Sequence, residues 1–221
     1  MYKALIYKEW LKLKWTYLIL AAISFLTLIY IAVSVAHDIE FNSAKAIWGA
    51  IIYLKYPFFS DIKYIFIATG VVMAIVQFFP EMNSDRLKLT LHLPVEEKKL
   101  LLQMISIGVM FIGALFLVIV LAIIIISSIH FPSEITTSAL ATMAPWIIAG
   151  LVAYLAVSTI VVEPIWVKRI ELLVIFLGYL FFFDIQLDYS KSALLFLLVT
   201  GAFFSLFILI SGYHFKRGIK S

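Results

Sequence analysis

The chain has 221 residues, of which 64% are apolar, 16% aromatic and 14% charged, and its 17 basic and 13 acidic side chains leave a formal net charge of +4. A soluble domain has an apolar share nearer half and a charged share nearer a quarter, so these proportions exclude one and assign the chain to lipid. Cysteine is absent, which removes disulfides, thiolate metal sites and cysteine nucleophiles, and the small basic excess points to anionic lipid head groups before nucleic acid.

The first fourteen residues, MYKALIYKEWLKLK, set Lys3, Lys8, Lys12 and Lys14 among bulky apolar neighbours. This arm, 1–14, is expected to lie along the membrane as an interfacial helix. Its lysines would reach lipid phosphates, and Trp10, Trp15 and Tyr17 would sit at head-group depth before the chain turns into its first span. The apolar run at about 15–36 is too long for a signal-peptide core and has no small-residue exit, so it reads as a retained helix. From His37 to Asp61 the composition is mixed, and the stretch AKAIWGAIIYLKYPFF is expected on the outer surface, packed on the bundle end. Recognition of an amphiphilic ligand there is the alternative.

A second span is expected at 62–80. The loop after it, 81–99, has the most informative sequence. Asn83, Ser84 and Asp85 are N-cap candidates, and Arg86 to Leu93 places Leu87 and Leu91 on one face of a short helix. Pro94 ends that helix, and Glu96 and Glu97 open the next one, where the positive end of its dipole favours carboxylates. The remaining spans are expected at 100–128, 143–162, 170–184 and 192–213, with Pro145 in the first turn of the fourth, where its missing N–H costs nothing. The fifth is short: Ile170 to Phe183 gives about 21 Å of strongly apolar helix. It needs its flanks or a thinned bilayer to cross, and a re-entrant or interfacial element is the alternative.

Lysine and arginine are retained on the cytoplasmic side. Lys3, Lys8, Lys12 and Lys14 precede span one; Arg86, Lys88, Lys98 and Lys99 follow span two; Lys168 and Arg169 follow span four; Lys216, Arg217 and Lys220 follow span six. The other side holds only Lys45, Lys55, Lys63 and Lys191. The alternation predicts six spans in one transmembrane domain, 1–221, with both termini in the cytoplasm.

With Glu81, then Leu87, Leu89 and Leu91, then Leu93-Pro94-Val95 and Glu96-Glu97-Lys98-Lys99, the 81–99 loop resembles that of the permease subunits of ABC transporters of the ABC-2 type. Ser84-Asp85 stands where that family usually has glycine before the leucines, and Glu96-Glu97 where it has Ser-Arg. The resemblance implies an all-α polytopic membrane protein with six transmembrane helices, an N-terminal interfacial helix and a short cytoplasmic coupling helix between spans two and three. It further implies that Glu81, Asp85, Arg86, Leu87, Leu91, Leu93, Pro94, Val95 and Glu96 meet a separate ABC ATPase subunit. That partner would hold the ATP and Mg, while this chain carries no cofactor and no catalytic residue. A homo- or heterodimer of permease chains in a bacterial cytoplasmic (inner) membrane, exporting an amphiphilic, lipid-like or peptide substrate, completes the expectation.

Few ionisable or strongly polar residues fall near the spans. Gln77, Glu163 and Asp184 are expected at membrane boundaries, and Glu163-Pro164 with Lys168 and Arg169 forms a candidate second inner contact. Two rival readings remain. One is a structural or assembly membrane protein without a transport path. The other is an intramembrane hydrolase: Glu96-Glu97 resembles the paired glutamates of CAAX-protease-like membrane enzymes, but Leu101 stands where their arginine falls. His37, His92, His130 and His214 are scattered and give no H-E-x-x-H, and there is no phosphate-binding G-x-x-x-x-G-K-[ST].

Overall fold

The computed structural model describes residues 2–42, 58–83, 97–185 and 191–216, and every regular element among them is an α-helix. These are α1 (Tyr2–Asn42), α2 (Ile62–Asn83), α3 (Glu97–His130), α4 (Ser133–Val162), α5 (Trp166–Ile185) and α6 (Lys191–Lys216). Among the described residues four helices, α1 to α4, are long and apolar enough to cross a membrane, and α6 holds a shorter apolar stretch, Phe196–Ser211. Their outer faces fit that solvent. Phe25, Leu26, Tyr30 and Val33 on α1 and Leu117, Val118, Leu121 and Ile125 on α3 are exposed. Apolar patches of that extent are not tolerated in water, whereas in hydrocarbon they cost nothing. These are the features of a helical membrane protein.

Two elements differ from expectation. The arm 1–14 and the first span are one uninterrupted helix of 41 residues, with no turn after Lys14. No glycine or proline occurs between Tyr2 and Asn42, so nothing in the sequence breaks the hydrogen-bond ladder. At 1.5 Å per residue α1 is about 61 Å long, roughly twice the thickness of a hydrocarbon core. The fourth helix starts at Ser133, not near Pro145, which lies inside it. Pro132 takes the N-cap position with φ −61° and ψ 159°, and Glu134 lies in the first turn, where the helix dipole favours it. Only Phe131 and Pro132 separate α3 from α4. The Phe131 N–H donates to the Ser127 carbonyl at 2.8 Å, and the Ser127 and Thr136 hydroxyls meet at 2.8 Å, closing a tight hairpin. The expected outer segment at 43–57 and the expected coupling helix at 84–93 lie outside the described residues.

The bundle is organised around α4, which packs most extensively on α2 and also on α6, α3 and α5; α1 packs on α3 and α2. Small residues make this possible: Ala149, Gly150, Ala153 and Ala156 are buried, and they let neighbouring backbones approach. The closest approach is at Gly70 of α2 and Gly150 of α4. A Cβ on Gly70 would lie 2.1 Å from the Gly150 carbonyl oxygen, and one on Gly150 would lie 2.6 Å from the Phe66 carbonyl oxygen. Aromatic rings fill the end of the bundle at the α3–α4 hairpin. Phe58 meets Phe59 edge to face and Phe131 at a tilt, with centroids 4.7 and 4.8 Å away, and Phe59 meets Trp146 at 5.4 Å. Because the helices alternate in direction, the start of α1, the end of α2, the start of α3 and the ends of α4 and α6 converge at the opposite end. Most of the long-range polar contacts between the described helices gather there; the Tyr179 hydroxyl of α5, which donates to the Ala149 carbonyl in the middle of α4, is an exception.

Candidate functional site at the charged end of the bundle

Helical spacing puts Lys8 and Lys12 four residues apart on one face of α1, with Glu9 three residues before Lys12. That face meets the end of α2. Lys12 Nζ lies 3.0 Å from Glu81 Oε1 and 2.9 Å from Glu9 Oε1, and it donates to the Gln77 carbonyl at 3.2 Å. Lys8 Nζ reaches the same Glu81 oxygen at 3.0 Å. The two carboxylates are buried, at 0% exposure for Glu9 and 1% for Glu81, while the Lys8 side chain is 41% exposed. The partnership is unequal. Glu81 has two ammonium groups on one oxygen, whereas Glu9 Oε1 stands beside Lys12 out of hydrogen-bond geometry, and Glu9 Oε2 and Glu81 Oε2 have no hydrogen-bond partner.

One turn back along α2, Gln77 extends the network to two more helices. Its Nε2 donates to the Met104 carbonyl of α3 at 2.9 Å, and its Oε1 accepts from the Tyr154 hydroxyl of α4 at 2.8 Å. Tyr154 also approaches the Ile105 carbonyl at 3.4 Å, and the Ser158 hydroxyl donates to the Tyr154 carbonyl at 2.7 Å. Gln77 and Tyr154 are both fully buried. Gly108 makes the room: a Cβ there would meet the Tyr154 hydroxyl and the Gln77 Oε1 within 2.4 Å. Four helices are thus joined by one chain of polar groups from Lys8 to Ser158.

A second cluster closes the end of α4. Glu163 is its C-cap, with φ −66° and ψ 121°, and its N–H donates to the Thr159 carbonyl. The Ser211 hydroxyl of α6 donates to Glu163 Oε2 at 2.5 Å, and the Ile165 N–H donates to Oε1 at 3.3 Å. Arg169 on α5 donates to the Glu163 carbonyl from Nη2 at 2.7 Å and from Nε at 3.2 Å, with its guanidinium 5.7 Å from the Trp166 ring. Thr159 adds a link by donating to the Phe204 carbonyl of α6 at 3.2 Å.

The sequence-predicted residues divide accordingly. Glu81 is inside, tied to α1. Glu163 and Arg169 are brought together, whereas Lys168 is half-buried and takes no part in that cap. Asp85, Arg86, Leu87, Leu91, Leu93, Pro94, Val95 and Glu96 lie outside the described residues. Two expectations are corrected. Lys8 and Lys12 turn to Glu81 rather than to lipid phosphates, and Gln77 and Glu163, expected at membrane boundaries where water reaches them, are buried among protein groups. Glu9, Tyr154, Ser211 and Gly108 were not legible as site residues. The available signal was Lys8-Glu9 with Lys12 on one face, opposite a lone glutamate closing an apolar run.

Chemically, this end of the bundle buries its carboxylates, while Lys8 stays partly exposed. Lys12 is the built-in cation between two carboxylates, and no group of three or more His, Cys, Asp or Glu side chains able to hold a metal occurs among the described residues. No known protein-family model matches the chain, and no curated protein or solved structure matches it either.

Proposed function

We propose that this chain is the permease subunit of an ATP-driven transporter of the ABC-2 type, in a bacterial inner membrane with both termini in the cytoplasm. A separate ATPase, carrying ATP and Mg, would dock on the 84–93 segment, and a second permease chain would complete the path for an amphiphilic, lipid-like or peptide substrate. The observation that carries the reading is the polar chain at the root of that segment. Glu81, three residues before it, is held by Lys8 and Lys12 of α1, and Gln77 is bonded to α3 and α4. A push on the loop would therefore reach four helices through short, directional contacts. The permease makes no bonds itself; it converts closure of the ATPase pair into a change of helix angle.

Co-purification of the full chain with the ATPase encoded beside it is the test, followed by substrate-stimulated ATP hydrolysis in proteoliposomes. Charge reversal at Arg86 and Lys88 should abolish both association and stimulation. A chain that binds no ATPase, with Arg86→Glu and Lys88→Glu behaving as wild type, would instead favour a structural or assembly role.

A further inference from the structure

The cluster at the α1–α2 contact holds two buried carboxylates and two lysines, but the lysines serve the carboxylates unequally. Lys12, whose side chain is 18% exposed, lies between Glu9 and Glu81 at 2.9 and 3.0 Å, while Lys8 reaches Glu81 alone. Two ionised carboxylates sharing one cation repel each other, and an ionised carboxylate with no hydrogen-bond donor is costly to bury. One of the two is better held neutral, and the geometry says which. Glu81 Oε1 receives both Lys8 and Lys12, with a donated hydrogen bond from Lys12. Neither oxygen of Glu9 receives a hydrogen bond, although the residue has no exposed surface.

We propose that Glu9 is a proton-binding site, protonated while α1 is seated on α2 and ionised when that contact opens to water. Opening of the charged end is then linked to release of one proton. The charged and titratable side chains acting on Glu9 are Lys8 and Lys12 from α1, Glu81 from α2 and Tyr154 from α4; on α3, Lys99 is exposed and His130 lies at the other end. Since the seated form binds the extra proton, raising the pH favours the open form, by up to tenfold per pH unit while Glu9 is the group titrating. Acid favours the seated form through Glu9 and loosens the contact only when it reaches Glu81, whose protonation weakens its pairing with both lysines. The site stands on these contacts alone and does not depend on the chain being a permease.

Two measurements on the full chain in lipid nanodiscs test it. Infrared spectroscopy at neutral pH should show the C=O stretch of a protonated carboxylic acid, lost in Glu9→Gln and kept in Glu81→Gln. Because glutamine reproduces the neutral acid, Glu9→Gln should also melt with the wild type. The second measurement keeps Glu9. With no native cysteine, spin labels at Tyr7→Cys and Phe79→Cys, both exposed positions, report the α1–α2 distance specifically. A longer-distance population should grow as the pH rises, and Glu9→Gln should abolish that growth. A wild type without the carboxylic band, a band that survives Glu9→Gln, a Glu9→Gln protein that fails to fold, or a distance distribution indifferent to pH overturns the proposal.

Discussion

Replacing Gly70 with alanine tests the helix crossing on which the bundle is built. The new Cβ would lie 2.1 Å from the Gly150 carbonyl oxygen and 3.1 Å from the Tyr154 amide nitrogen. Both are backbone atoms of a buried helix and cannot rotate away. Reaching an ordinary contact requires α2 and α4 to part by about 1 Å, and a gap of that size forfeits a quarter to half of the dispersion energy along the lining. Phe66, Met73 and Phe78 on α2 and Trp146, Ala149 and Ala153 on α4, all buried, share that loss. Overpacking of this kind costs about 3 kcal/mol, and the better helix propensity of alanine returns about 1 kcal/mol, for a net loss of about 2 kcal/mol. Gly113 and Gly178 are the controls, since a Cβ at either meets nothing within 4 Å; alanine there should be neutral or stabilising. Thermal unfolding in detergent micelles, followed by circular dichroism, should place Gly70→Ala about 4–8 °C below wild type for a chain of this size. If Gly70→Ala melts with Gly113→Ala, the two helices do not cross at these glycines.

Lys12 and Lys8 should separate sharply although both reach Glu81. Lys12→Met strands a buried carboxylate and should cost about 3–5 kcal/mol, whereas Lys8→Met removes a half-exposed partner worth about 1 kcal/mol or less; equal losses in denaturant titrations would refute the assignment of Lys12 as the principal cation of the cluster. Tyr154→Phe leaves Gln77 Oε1 without its donor and should cost about 1–3 kcal/mol, and in a double-mutant cycle with Gln77→Leu much of that loss should disappear, because both polar partners are then gone. Ser211→Ala removes the hydroxyl that donates to Glu163 and should lower stability by a similar amount, read most directly as faster amide exchange at the α4 end and in α6.

Which parts of this structure were legible follows from what each signal depends on. Apolar runs locate helices because hydrocarbon imposes the same demand on every spanning segment, and the helices at 62–83, 166–185 and 191–216 contain the apolar runs 62–80, 170–184 and 192–213 with their ends extended by a few residues. Breaks were harder. The charge of the arm 1–14 suggested a change of direction, but charge alone does not interrupt a helix, and no glycine or proline follows Lys14 to do so. Pro145 suggested a start, but Pro132 had already supplied one, and a membrane helix tolerates a second proline when its neighbours cover the freed carbonyl. The buried cluster was the least legible. Positive-inside counting treats lysines as independent markers of the cytoplasmic side, and it is silent on whether a lysine at that side faces water, lipid or a glutamate on the next helix.

Helices in lipid gain nothing from hydrophobic contact with one another, so their arrangement must be held by close packing and by polar links. Here the two are unevenly distributed. α2 and α4 are locked by backbone approach at Gly70 and Gly150, and α4, α5 and α6 are tied through Glu163, Arg169, Ser211 and Thr159. α1 has no glycine crossing. It is held by Lys8 and Lys12 at its charged end, by Trp10 and Tyr17 against Phe111 of α3, and by a thin seam of buried apolar residues, Leu20, Leu28, Ile31 and Val35, one side of an otherwise exposed helix. A contact between ionisable groups can be shifted by a change of protonation or by a shift of the neighbouring loop, whereas a glycine crossing cannot be loosened without parting two backbones. α1 is therefore the element most easily moved relative to the α2–α4 core, and the residues that decide whether it moves are Glu9, Lys12 and Glu81.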